Sequence, residues 1–197
     1  VEKKEKRTTG VTGLDYPLDG GFPVGESIVV YAHPLSGLDL MARQFWRPED
    51  STDEGSYLML DAEPLEGMER LDSKTPLEEI VKKMKGSRII IDSLSTLILS
   101  HGRERALEFI KKDIKGVLST GSNVMFTLYK DLHSEEDIVL LMRAADVFVE
   151  LREQILGSEV ERTFWIRKIR GQAVPQRVIP FLITEKGLEL STTSRVI

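Results

Sequence analysis

The stretch that most constrains this chain is residues 25–45, GESIVVYAHPLSGLDLMARQF. Its first part, 27–31, is an apolar run of the kind that forms a buried strand. A short turn follows, closes on Gly37 and launches a helix over 38–46 that must stop before Pro48. A strand, a glycine turn and a helix N-terminus in that order are the frame of a phosphate-binding loop, whose pattern is G-x-x-x-x-G-K-[ST]. Here the positions read Ala32-His33-Pro34-Leu35-Ser36-Gly37-Leu38-Asp39. The frame is present and its chemistry is altered, with Leu38 at the lysine position and Asp39 at the serine or threonine position.

Such a loop holds phosphate with backbone N–H groups at the helix N-terminus, a lysine on the β- and γ-phosphates and a hydroxyl on Mg²⁺. The cofactor-binding positions are therefore Ser36, Gly37, Leu38 and Asp39. Leu38 supplies neither charge nor donor. Asp39 adds a negative charge, and two like charges about 4 Å apart at an effective dielectric of about 20 repel by about 4 kcal/mol. Ala32 and Leu35 restrict the backbone where it must curl around phosphate. The other role open to Asp39 is to serve the helix N-terminus as an internal anion, worth about 0.5–1 kcal/mol. His33 has no evident role.

Further along, strands are expected at 56–60, 88–91, 123–128 and 147–151, and helices at 76–84, 103–118 and 135–144. In 76–84, Leu77, Ile80, Val81 and Met84 recur at i, i+3, i+4 and i+7. In 103–118, Ala106, Leu107, Ile110, Ile114, Val117 and Leu118 form one stripe with lysines opposite. The pattern then changes, and 163–169, 177–183 and 187–190 read as strands with short connections. This predicts an α/β domain over 1–197, with a mainly parallel sheet, antiparallel strands added at one edge, a charged tail at 1–7 and an exposed polar loop at 47–55.

The composition excludes several classes. The chain has 197 residues, 41% apolar and 30% charged, which suits a globular domain with a full core. A net charge of −5 argues against a large nucleic-acid footprint. There is no cysteine for a disulfide framework or thiolate metal site, and His33, His101 and His133 lie far apart. No apolar run approaches the ~20 residues needed to span a membrane. The start, VEKKEKR, lacks the apolar core of a signal peptide, so a cytoplasmic protein is expected.

Four groups of residues carry a family resemblance. Ahead of the first strand stand Thr9-Gly10-Val11-Thr12-Gly13-Leu14-Asp15 and Leu18-Asp19-Gly20-Gly21-Phe22-Pro23-Val24-Gly25. After the loop come Ala42, Gln44 and Phe45, then Arg88-Ile89-Ile90-Ile91-Asp92-Ser93-Leu94, then Lys168-Ile169-Arg170-Gly171. In this order they resemble the entry motif, the A-L-Q-F helix, the Walker B strand and the K-M-R-G run of a KaiC-type domain of the RecA superfamily, archaeal in style. The resemblance covers nearly the whole chain, although the stretch between Glu63 and Arg88 is shorter than usual for the family. It implies a three-layer, RecA-like P-loop NTPase fold.

The resemblance also assigns roles. Asp92 matches the Walker B aspartate, which holds Mg²⁺ through water; its other role would be a helix N-cap shared with Ser93 or Ser95. Asp61-Ala62-Glu63 resembles the D-A-E run of RecA itself, which makes Glu63 the candidate catalytic base. Otherwise Glu63 is an exposed carboxylate before Pro64. Lys168 and Arg170 match residues that reach the nucleotide of a neighbouring subunit. On an alternating strand they share a face, and they could equally form a solvated basic edge. Leu128 and Tyr129 stand after Thr127, where the family places polar residues that sense the γ-phosphate.

The expectation is a degenerate Walker A loop on a pseudoenzyme that does not hydrolyse ATP. Neither ATP nor Mg²⁺ is expected as a cofactor. The protein would act in regulation or signal transduction through protein partners, and self-associate weakly at most. The alternative is an ATP-binding protein with weak or partner-dependent ATPase activity. The run Lys130-Asp131-Leu132-His133-Ser134-Glu135-Glu136-Asp137 is mostly acidic and disfavours nucleic acid as a partner.

Overall fold

The computed structural model of the chain describes residues 4–191. A nine-stranded sheet runs through it. Its parallel part is built from β3 (Ser27–Ala32), β4 (Tyr57–Met59), β5 (Glu69–Arg70), β6 (Arg88–Asp92), β7 (Asn123–Tyr129) and β8 (Val147–Leu156). The antiparallel edge is β9 (Glu159–Ile169), β10 (Ile179–Thr184) and β11 (Gly187–Leu190). The spatial order is β11-β10-β9-β8-β3-β7-β6-β4-β5, so β3 lies inside the sheet between β8 and β7. Lys6–Arg7 (β1) pairs with Phe22–Pro23 (β2) in a separate antiparallel ribbon, which ties down the end of the charged N-terminal stretch.

Strand alternation sends side chains to two apolar layers. Ile28, Val30 and Ala32 of β3 pack with α1 (Leu38–Trp46) and the loop around Val11, Leu14 and Leu18. Val29 points the other way, to the layer that holds Leu77 and Ile80 of α2 (Leu77–Lys83) and Leu94, Leu97 and Ile98 of α3 (Leu94–His101). Ile138 and Leu141 of α6 (Glu135–Ala144) join the same layer. The result is the expected three-layer α/β arrangement, helix and loop on one face and a set of helices on the other.

Three features depart from the sequence reading. Helix α3 is not among the helices expected from the sequence, although the other role open to Asp92 was an N-cap shared with Ser93 or Ser95; Ser93 is the cap, accepting the Thr96 N–H at 3.1 Å. The helix expected over 103–118 is divided into α4 (Arg103–Glu108), a π-helical turn at Phe109–Asp113 and α5 (Lys115–Ser119). The β8–β9 hairpin extends further than expected, to the Leu156–Glu159 pair, and has an irregularity between Phe148 and Val149 that leaves Arg167 without a residue opposite.

At the other end of the sheet, the Arg88 side chain is 1% exposed. Its guanidinium donates to the Thr8 carbonyl at 2.7 Å, the Phe45 carbonyl at 3.1 Å, the Thr8 hydroxyl at 2.9 Å and Asp53 at 3.1 Å. Replacing it leaves two carbonyls without their donor. Arg88→Met is expected to cost about 3 kcal/mol of folding stability, read as a lowered urea midpoint with an unchanged slope.

Candidate functional site

The C-terminal ends of β3, β4, β6 and β7 come together on the α1 face of the sheet. The register pairs Ala32 with Tyr129 and Met59 with Asp92. A groove of about 350 Å³ opens there, lined by residues that include Pro34, Leu38, Asp39, Tyr57, Asp61, Glu63, Asp92 and Tyr129. Larger clefts of about 710 and 950 Å³ lie elsewhere and contain neither Asp92 nor the turn after β3.

That turn is a single 3-10 turn, Pro34–Ser36. His33 precedes it in extended conformation, and its Nδ1 accepts the Leu35 N–H at 3.3 Å. The Ser36 N–H goes to the His33 carbonyl at 2.9 Å. Pro34 has no N–H to offer. Two amides of the turn therefore point back at His33, the residue whose role the sequence left open. Gly37 sits at φ 88°, and a Cβ there would lie 2.8 Å from Leu188 Cδ2 of β11. The positive φ favours glycine, and a side chain would also push Leu188 aside.

Leu38, at the lysine position, is 2% exposed and belongs to the apolar layer under α1. Asp39 has a side chain 61% exposed and pairs with Arg43, one turn along, at 2.7 Å. It stands in the first turn of α1 but makes no capping hydrogen bond. The carboxylate therefore answers Arg43 and contributes to the helix N-terminus only through the dipole. Asp39→Ala is accordingly expected to cost about 0.3–0.5 kcal/mol, less than a lost N-cap, in thermal or urea denaturation.

Asp92 is buried at the end of β6. Its carboxylate accepts the Tyr57 hydroxyl at 2.6 Å and the Thr127 hydroxyl at 2.6 Å, one on each oxygen. The peptide that follows it, Asp92–Ser93, is cis. Burial raises the Asp92 pKa above its ordinary value; the two hydroxyl bonds oppose this, and nearby Asp61 and Asp39 add to it. Burial and the Asp92 charge likewise hold the Tyr57 phenol far above its ordinary value. Beside Asp92, Asp61 collects the hydroxyls of Ser93 (2.6 Å), Thr96 (2.5 Å) and Tyr129 (3.0 Å). Glu63 stands on the rim with its side chain 88% exposed, paired with Arg70 at 2.6 Å.

Lys168 and Arg170 lie outside the groove. Lys168 Nζ donates to the carbonyls of Met142, Arg143 and Ala145 at 2.5–3.0 Å and so closes the C-terminus of α6. Burial lowers its pKa. Arg170 follows β9 and forms an ion pair with buried Asp146, whose other oxygen accepts the Ser27 N–H and hydroxyl at 2.9 Å. Tyr57 and Asp61 carry site roles that sequence reasoning did not assign. The signal for Tyr57 was alternation, since Tyr57 and Met59 on β4, Ile90 and Asp92 on β6, and Met125 and Thr127 on β7 share one face.

The fold and the strand-end site can now be compared with known proteins. The family description "ATPase: KaiC" matches residues 46–195. The chain belongs to the KaiC family. The circadian clock protein KaiC3 of Synechocystis is 24% identical across 98% of this chain, which spans 46% of that protein's length. A UPF0273 protein of Thermotoga maritima is 21% identical over 91% of this chain and 93% of its own. The crystal structure of a KaiC-like protein from the archaeon Pyrococcus horikoshii superposes with a TM-score of 0.79 at 18% identity, covering 96% of this chain and all of the other. The fold is thus the KaiC-like RecA fold. The chain spans less than half the length of the KaiC proteins it matches. Among the described residues, no helix is long and apolar enough to cross a membrane.

The raised Asp92 pKa has a definite sign in stability. A buried carboxyl that holds its proton more tightly than the unfolded chain favours folding at low pH. That contribution is lost as pH rises from the unfolded value near 4 through the raised one. Asp92→Asn removes the titration. Urea denaturation at pH 4 and pH 7 is expected to show the variant gaining stability relative to wild type as pH rises.

Proposed function

We propose that this KaiC-family domain carries a degenerate Walker A loop, does not hydrolyse ATP on its own, and acts in regulation or signal transduction through protein contacts. One observation carries this reading: the Leu35 and Ser36 amides of the turn are committed to His33, in a turn that proline has already deprived of one donor. A phosphate group entering here would have to break those bonds and would meet Asp39 in place of a hydroxyl. Leu38 offers no ammonium, and its side chain packs into the core under α1.

Mg-ATP does not fit this set of residues. Each oxygen of Asp92 already accepts a hydroxyl proton, so a water on a metal would have to share the carboxylate with Tyr57 and Thr127. Glu63 stands on the rim, its side chain 88% exposed and paired with Arg70, and that exposed pair does not hold it against a reacting water. Lys168 and Arg170 are spent on helix α6 and on Asp146, so a role at a neighbour's nucleotide would require both to let go. Self-association through such contacts is accordingly weak in this reading. A partner-dependent ATPase is the second reading. What favours it is the placement of Asp92 in a groove at the strand ends, where an α/β sheet of this type takes ligands.

Purified protein with Mg-ATP is expected to release no phosphate above the no-enzyme rate and to give no calorimetric binding at micromolar ligand. The variant Leu35→Gly/Leu38→Lys/Asp39→Thr is expected to bind ATP more tightly than wild type. Multiple-turnover release by the unmodified protein, abolished by Glu63→Gln or Asp92→Asn, would overturn the proposal in favour of an ATPase.

A further inference from the structure

The groove beside the turn has the opposite character to a phosphate site. Leu38, Met59 and Met68 line it, and Leu65 stands 54% exposed at its edge. Asp39, Asp61 and Glu63 lie around these apolar walls, with Arg43 the single cation among the described lining residues. At about 350 Å³ it is near the lower end of the roughly 300–1,000 Å³ usual for small-molecule pockets, and suits one or two side chains. The charges of Asp39 and Glu63 are held by Arg43 and Arg70 in exposed pairs, which exchange partners at little cost. The methionine side chains are unbranched and repack around different guests.

Resting on the reading that this site does not take phosphate, we propose that the groove docks a segment of a partner protein presenting one arginine or lysine between apolar side chains. The aliphatic stem of such a residue lies along Met59, Met68 and Leu65, and its charged head is received by Asp39, Asp61 and Glu63. A long cationic side chain suits these walls because its stem is apolar and only its tip needs charge. Charge complementarity selects this occupant over an acidic or phosphorylated segment, which would meet Asp39, Asp61 and Glu63 on the rim, Asp92 below them, and two amides already turned to His33.

The test uses the whole chain with ¹³C-methyl-labelled methionine, observed by NMR. Three probes are added separately: a blocked pentapeptide with arginine between two leucines, the same peptide with neutral citrulline for arginine, and Mg-ATP. The arginine peptide is expected to shift the Met59 and Met68 methyls saturably, more weakly at high salt, while the citrulline peptide does not. Asp39→Asn and Glu63→Gln, both at exposed positions, are each expected to weaken the arginine peptide by about two- to fivefold. Equal shifts from the citrulline peptide, no shift at these methyls with millimolar peptide, or unchanged affinity in both variants would overturn the docking inference while leaving the loop reading in place. Saturable shifts from micromolar Mg-ATP at the same methyls would overturn the loop reading, and the docking inference with it.

Discussion

The buried guanidinium of Arg88 holds together pieces of chain that otherwise have little in common. It accepts nothing and must donate, so it fixes whatever carbonyls it faces. Those carbonyls belong to Thr8, in the N-terminal loop, and to Phe45, at the end of α1. Asp53 bridges Arg88 to Arg7, which also reaches the Gly121 carbonyl and Asn123 at the start of β7. The C-terminal end of α1 is thereby anchored to β6 at one end of the sheet. Gly37 and Leu38 pack against β11 and the α1-side core at the other. With both ends of α1 fixed, the turn between β3 and α1 has little freedom, and its position above Asp92 follows from the packing of the helix.

A buried carboxylate at a strand end needs partners, and a metal with its water shell, a protein cation or neutral protein donors can supply them. Here hydroxyls are used throughout: Tyr57 and Thr127 on Asp92, and Ser93, Thr96 and Tyr129 on Asp61. Neutral donors satisfy the oxygens without cancelling the charge, which is why burial still lifts the Asp92 pKa. The same self-sufficiency recurs in the turn, where His33 takes the Leu35 and Ser36 amides, and at Lys168, whose ammonium is divided among three carbonyls. Asp92, Glu63, Lys168 and Arg170, the side chains that the family resemblance would direct to a nucleotide or its metal, each have an internal partner.

Most of the fold was legible because its signals are periodic. The strands at β3, β6 and β7, helices α1 and α6, and the change to antiparallel pairing after β8 all follow from runs of apolar residues at spacing two or three to four. Helix α3 was missed because Leu94-Ser95-Thr96-Leu97-Ile98-Leu99 directly continues the apolar strand β6 and has no clear polar face. The π-turn at Phe109–Asp113 leaves the apolar stripe of the surrounding helix readable, so nothing in the sequence marks the break. The hairpin tip was missed because its pairs are mostly polar or exposed, such as Glu153 with Arg162 and Gln154 with Glu161. At the site, the altered residues could be read directly, but their new partners could not. A carbonyl cap like that of Lys168 leaves no trace in residue identity, and the His33 acceptor depends on a turn geometry that only the fold supplies.

The scaffold and the chemistry of this fold are separable, and the turn after β3 shows at what energetic level. Leu38, 2% exposed, adds to the core under α1 and at the same time forms part of the groove wall, where a lysine would have brought a charge. A lysine placed there would replace apolar packing under α1 with a charge on a wall shared with Tyr57 and Asp92. Even with that charge restored, the amides would still be held by His33, and Asp39 would still stand at the helix N-terminus. Turn, core and first helical turn thus each present a different local arrangement, a His33-centred turn, a buried leucine and an Asp39–Arg43 pair, and all three would have to change for the segment to hold phosphate.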